Sequence, residues 1–249
     1  MKKALILAAG LGTRLRVVVN DRPKALVEVA GVTMLERVVN HLKQYGVDDI
    51  TINVHHLAQQ IVDFVAARNN FGVTIHFSDE RDLLLDTGGA IVAARQWLDG
   101  NEPFIVHNAD ILTDLDFDDM EREHIESGAL ATILVKHRPT QRYFLFDRQR
   151  RLQGWVNKTT GETRPAGLVY TDTEYDEMAF GGIYILSPEI FPALEAYAKK
   201  SPVFSIVPFY VDHCRTLPIH AYCPPRDYLW LDVGKPNTFA LANEIYAAR

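Results

Sequence analysis

Ala4-Leu5-Ile6-Leu7-Ala8-Ala9-Gly10-Leu11-Gly12-Thr13-Arg14, with Pro23-Lys24 shortly after it, decides how the rest of the 249-residue chain is read. A short apolar run that empties into Gly-x-Gly is a buried strand delivering a glycine loop. Gly10 and Gly12 let a ligand lie against the main chain, so that successive N–H groups point at phosphate oxygens. Arg14 and Lys24 add fixed positive charge. A dinucleotide-binding turn is excluded because Leu15 stands where the third glycine is needed, and no Gly-Lys-Ser/Thr of a P-loop occurs. The segment is not read as a signal peptide: the apolar run is short, and Arg14 and Arg16 follow with no cleavage site.

The length suits one α/β domain with a large core, and no linker, repeat or low-complexity tract marks a seam. A single domain over residues 1–249 is expected, with one functional half over about 1–125 and the other over about 126–249. The net charge of −6 argues against nucleic acid as a partner. No apolar stretch approaches the roughly 20 residues of a membrane span. Cys214 and Cys223 have no metal-type spacing and read as buried thiols, which fits a cytoplasmic protein.

Strand and helix signals alternate through the first half. After the strand at residues 5–8, Leu35, Val38, Val39 and Leu42 recur at helical spacing within 33–45, and Gly46 is placed to end that helix. Residues 49–54, 73–77 and 104–106 read as strands, and 57–67 and 89–98 as helices. Such alternation predicts a three-layer, Rossmann-like nucleotide-binding α/β fold with a mostly parallel mixed sheet. The second half predicts a smaller β region: a strand over 129–136, a hairpin from 143–147 and 152–156, and a strand through Phe180-Gly181-Gly182-Ile183.

In such sheets ligands bind outside the carboxyl ends of the strands. Gly10, Asn53 and Asn108-Ala109-Asp110 should therefore meet at one edge. Trp230-Leu231-Asp232 repeats the pattern of an apolar strand delivering one aspartate. Asp110 and Asp232 on neighbouring strand ends could share a Mg²⁺, which accepts one or two carboxylates plus phosphate oxygens and water. The run Asp114, Asp116, Asp118, Asp119 reads as solvated or helix-capping, because it lacks the glycine and terminal glutamate of a calcium loop. His55 and His56 point to opposite faces and read as one core and one surface residue.

With these residues in view, the chain resembles the sugar-1-phosphate nucleotidylyltransferases. The resemblance is carried by Leu7 to Leu15 with Pro23-Lys24, by Asp86-Thr87-Gly88-Gly89-Ala90, and by Asn108-Ala109-Asp110. Phe180-Gly181-Gly182 and Trp230-Leu231-Asp232-Val233-Gly234 follow in the family's order. Departures are Val17 where proline is usual, Asp86 where glycine is common, and Asn157-Lys158 in place of a Glu-Lys pair. No appended β-helix is expected after residue 249.

The resemblance implies transfer of a nucleotidyl group from a nucleoside triphosphate to a sugar 1-phosphate in a precursor pathway of the cell envelope. Arg14 and Lys24 would be catalytic. Ala8, Ala9, Gly10, Gly12, Thr13, Thr87, Gly88 and Gly89 would hold the nucleotide, with Glu80 or Asp86 accepting an N–H of the base. Asn108, Asn157, Lys158 and Gly182 would hold the sugar phosphate, and Asp110 and Asp232 the Mg²⁺. It implies UTP with an N-acetylmuramate-like 1-phosphate, or GTP with a mannose- or heptose-type 1-phosphate, in a monomer or small homo-oligomer. Two rivals remain: a silent nucleotide-sugar-binding subunit, and a glycosyltransferase using Asp114-Leu115-Asp116 as its metal motif.

Overall fold

A computed structural model of the chain describes residues 3–12, 21–171 and 173–248. Thr13, Arg14 and the Val17 departure lie outside the described residues. The opening run forms β1 (Lys3–Leu7), and β2 (Glu28–Val29) with β3 (Val32–Thr33) leads into α1 (Met34–Gln44). The Thr33 hydroxyl accepts the Glu36 N–H at 3.2 Å, and Glu36 adds negative charge in the first turn, where the helix dipole favours it. Next come β4 (Asp49–Val54), α2 (Ala58–Ala67), β5 (Thr74–Asp79), α3 (Asp86–Ala93), α4 (Arg95–Leu98) and β6 (Phe104–Asn108). The helix expected over 89–98 thus begins at Asp86 and is broken at Ala94.

The second half holds β7 (Ile111–Thr113), α5 (Phe117–Ser127), β8 (Ala131–Lys136), β9 (Arg142–Phe146), β10 (Leu152–Asn157) and β11 (Thr163–Arg164). It closes with β12 (Asp176–Leu186), α6 (Phe191–Ala198), α7 (Ile206–His213), β13 (Ile219–Tyr222), β14 (Trp230–Asp232) and α8 (Pro236–Ala247). A ten-stranded sheet runs β11-β10-β9-β12-β6-β1-β4-β5, with β8 on β12 and β13 on β8. The pairs β6/β1, β1/β4 and β4/β5 are parallel, whereas β12 is antiparallel to β6 and β9.

Side-chain alternation along the strands sorts the core into two layers. Ala4 and Ile6 pack with Ile50, Ile52 and Ile105 against α1, α2 and α5. Leu5 turns to the other face with Phe104 and Val106, under α3, α4, α6 and α7. All eight of these strand residues are fully buried. Each large apolar side chain so buried contributes about 1.5–3 kcal/mol, which fixes the register of β1.

β14 lies outside the central sheet. It pairs antiparallel with β7, placing Asp232 opposite Ile111, the residue after Asp110. The Val233 N–H donates to the Asp110 carbonyl at 2.9 Å. The acidic run is structural: Asp116 caps α5 by accepting the Asp119 N–H at 3.1 Å, and Asp114 accepts the Leu229 N–H at 2.6 Å. Cys214 is buried, whereas Cys223 is half-buried.

Candidate active site

The turn after β1 is held by Asn53, from the end of β4. Its side-chain oxygen accepts the Ala8 and Ala9 N–H groups at 2.6 and 3.2 Å, and its amide nitrogen donates to Glu80 Oε1 at 2.9 Å. Glu80 Oε2 accepts the Leu85 N–H at 2.9 Å. Both carboxylate oxygens of Glu80 are thus engaged within the fold, and burial raises its pKa against the opposing effect of these hydrogen bonds. Glu80 fixes the amide of Asn53, and Asn53 in turn aims the loop. His55 bonds the Glu80 carbonyl at 2.7 Å, and His56 is exposed.

Lys24 follows Pro23 at the start of a short 3₁₀ turn, and its ammonium pairs with Asp110 Oδ2. Asp232 accepts the Gly234 N–H at 2.9 Å on Oδ1.

Two cavities open over the carboxyl ends of the strands. One, of about 520 Å³, is lined by Ala8 to Gly12, Lys24, Asn53, Asp86 and Thr87. The other, of about 650 Å³, is lined by Asn157, Gly182, Trp230 and Asp232, together with Arg138, Arg142 and Arg164. Asn108 and Asp110 line both, so the cavities meet at the end of β6. Gly182 has φ of 75°, and a Cβ there would lie 3.0 Å from the Asn108 amide nitrogen and Ile111 Cγ1. A side chain at this position would press on the junction between the cavities.

Several expected residues stand elsewhere. Gly88 and Gly89 are buried beneath the segment 202–204 and do not line either cavity. A Cβ on Gly88 would lie 2.3 Å from the Phe204 ring, and the N–H groups of both glycines donate to the Phe204 carbonyl at 2.9 and 3.2 Å. Close packing by itself demands glycine at both positions. Glu80 also lies outside the lining, whereas Asp86 is in it. Asp86 has φ of 59°, the left-handed conformation that glycine adopts freely, and its Oδ1 accepts the Thr87 N–H at 2.6 Å.

Lys158 lies beside the larger cavity rather than in its lining. Its ammonium pairs with Glu177 at 2.5 Å and with the Tyr170 hydroxyl. Arg138, Arg142 and Arg164 were not singled out by the sequence. The available signal was a cluster of six arginines within 138–164 of an acidic chain, but no motif spacing singles out these three.

Asp110 and Asp232 face one cavity with hard carboxylate oxygens, a donor set that fits Mg²⁺ completed by phosphate oxygens and water. No cluster of three His, Cys, Asp or Glu side chains able to hold a metal exists among the described residues, so the protein alone offers no full cage. No helix among them is long and apolar enough to cross a membrane.

The nucleotidyl transferase family model matches residues 3–249, and the chain belongs to that family. It is 34% identical to the N-acetylmuramate alpha-1-phosphate uridylyltransferase of Neisseria meningitidis serogroup B, over 81% of this chain and 83% of that protein. It is 29% identical to a UTP–glucose-1-phosphate uridylyltransferase of Synechocystis, over 94% of this chain. The chain spans 60% of that relative's length. The crystal structure of HddC from Yersinia pseudotuberculosis complexed with GMP-PN superposes with a TM-score of 0.76 at 26% identity, covering 99% of this chain and 100% of that one.

Proposed function

We propose that the chain transfers a nucleotidyl group from a nucleoside triphosphate to a sugar 1-phosphate. The carrying observation is the meeting of two cavities at Asn108 and Asp110, with Asp232 beside them. The triphosphate lies in the smaller cavity, against the glycine loop, and the sugar phosphate in the larger. An oxygen of the sugar phosphate bonds to the α-phosphorus while the bond to the bridging oxygen of pyrophosphate breaks. The nucleophile is already an anion, so the site needs positioning and charge rather than a base. Lys24 offers its ammonium to the α-phosphate, and Arg14 its guanidinium to the leaving pyrophosphate. Asn108, Asn157 and Gly182 position the sugar phosphate, and Lys158 would join them on leaving Glu177.

Asp110 and Asp232 would hold Mg²⁺, which when bound neutralises developing charge on the phosphates. The preferred pair is UTP with an amino-sugar, N-acetylmuramate-like 1-phosphate, supported by the Neisseria relative. This reading places the chain in supply of cell-envelope precursors in the cytoplasm. A second reading, GTP with a mannose- or heptose-type 1-phosphate, is favoured by Asp86. A carboxylate suits the adjacent N–H donors of guanine, and the HddC structure is complexed with GMP-PN. Pyrophosphate release from UTP and GTP, each offered with amino-sugar, mannose and heptose 1-phosphates, decides between them. Release with the UTP and amino-sugar pair is expected, and release with no pair contradicts the class.

A further inference from the structure

The cations around the larger cavity fall into two sorts. Lys158 is neutralised by Glu177 at 2.5 Å and Arg164 by Glu162 at 2.7 Å. Arg138 and Arg142 line the same cavity and make no ion pair with a carboxylate among the described residues. Arg138 is held in place: its guanidinium stands 5.3 Å over the Trp230 ring, and its Nη2 reaches the Phe180 carbonyl at 3.4 Å. Its Nε is buried and has no hydrogen-bond partner. Burial of Nε holds the guanidinium rigidly, and its charge has no carboxylate partner among the described residues to offset it.

Arg142 opens β9, opposite Asn157 of β10, and is exposed at the cavity mouth. Asp110 and Asp232 line the same cavity, and the proposed reaction requires the phosphate to sit at them. A sugar 1-phosphate carries its phosphate at one end of the ring, so a second anionic site in the same cavity meets a substituent elsewhere on the sugar. The planar fork of arginine suits a carboxylate.

We propose that Arg138 and Arg142 form a carboxylate subsite that selects sugar 1-phosphates bearing an acidic substituent. This inference rests on the nucleotidyl-transfer reading of the two cavities. Arg138 supplies the fixed, partly buried donor, and Arg142 the charge at the entrance. Neutral hexosamine 1-phosphates leave both guanidinium charges without a carboxylate partner and bind more weakly.

The test compares kcat and KM for two sugar 1-phosphates that differ only in a carboxylate against its neutral amide, in wild type, Arg138→Gln and Arg142→Gln. Wild type should favour the acidic substrate by roughly tenfold or more in kcat/KM, and each variant should lower that ratio by roughly three- to tenfold, chiefly through KM. Arg142 is exposed, so Arg142→Gln folds even if the change at Arg138 does not. Calorimetry of the free acidic sugar, without phosphate, should show binding to wild type that weakens in the variants. Equal losses for both substrates would assign the arginines to the phosphate and overturn the subsite. An absence of acid preference in wild type would do the same. Turnover of neither substrate with any triphosphate would instead overturn the underlying transfer reading.

Discussion

The ammonium of Lys24 lies on a carboxylate oxygen of Asp110 at the point where the two cavities join. Their side chains are only 13% and 21% exposed, so neither charge is well solvated without the other. A divalent cation binding Asp110 must compete with Lys24, and the displaced ammonium becomes available to a phosphate. Lys24→Met should therefore lower stability by about 1–3 kcal/mol in the absence of ligand. Added Mg²⁺ should raise the Tm of the variant more than that of wild type, because the cation then neutralises Asp110 unopposed. A smaller rise in the variant would show that the two cations do not share this carboxylate.

Gly88 tests packing against ligand approach. Its missing Cβ would stand 2.3 Å from the Phe204 ring, so Gly88→Ala should cost about 1–3 kcal/mol in urea unfolding. Phe204→Leu in the same chain should recover part of that loss. If Gly88→Ala instead kept full stability and weakened only triphosphate binding, glycine would be required by the ligand.

Glu80 tests the scaffold of the glycine loop. Its two oxygens accept from Asn53 and Leu85, and Glu80→Gln turns a donor toward one of them. A loss of about 1–3 kcal/mol is expected, with weaker triphosphate binding in calorimetry. Unchanged binding would separate Asn53 from control of the loop.

Acid should destabilise the fold through buried neutral histidines. Burial pushes His107 down to about 3 and His124 down to about 4. Below the ordinary pKa of 6.5 the unfolded chain takes up protons that these folded histidines refuse, so stability falls as pH drops from about 6.5 toward 4. Glu80, raised by burial, acts in the opposite sense: it favours the fold at low pH and loses that advantage as pH rises. His124 bonds Thr132 and Ser187 at 2.8 and 2.9 Å, contacts that an amide can partly keep. His124→Gln should reduce the slope of unfolding free energy against pH by about 1.4 kcal/mol per unit between pH 5 and 6. An unchanged slope would mean that His124 titrates normally in the fold.

The parallel half of the sheet was legible because βα alternation and apolar periodicity coincide there: α1, β4 and β6 lie close to where the pattern puts them. The convergence of Asn53, Asn108 and Asp110 followed from the rule for strand ends. Asp232 was legible as a partner of Asp110, but not its route, because a three-residue strand paired with β7 leaves the same pattern as a strand of the main sheet. β12 runs from Asp176, earlier than the Phe180 start expected, since its polar first residues carry no strand signal of their own and are ordered by pairing with β9. The packing of Gly88 against Phe204 was not legible, because a glycine needed for close packing and one needed for ligand approach are the same letter. Arg138 and Arg142 were hidden for a different reason: neither belongs to a spaced motif, and only the fold shows that both line one cavity.

Transfer of label from triphosphate to sugar tests the central claim most directly. Wild type, with Mg²⁺, the accepted sugar 1-phosphate and α-³²P-labelled triphosphate, should place the label in the nucleotide sugar, whereas γ-label should leave as pyrophosphate. Asp110→Asn removes one carboxylate oxygen at the junction and little volume; it should fold normally by circular dichroism and lose transfer by on the order of a hundredfold or more. Transfer by Asp110→Asn within a few-fold of wild type, or α-label appearing anywhere but in the nucleotide sugar, would contradict the account.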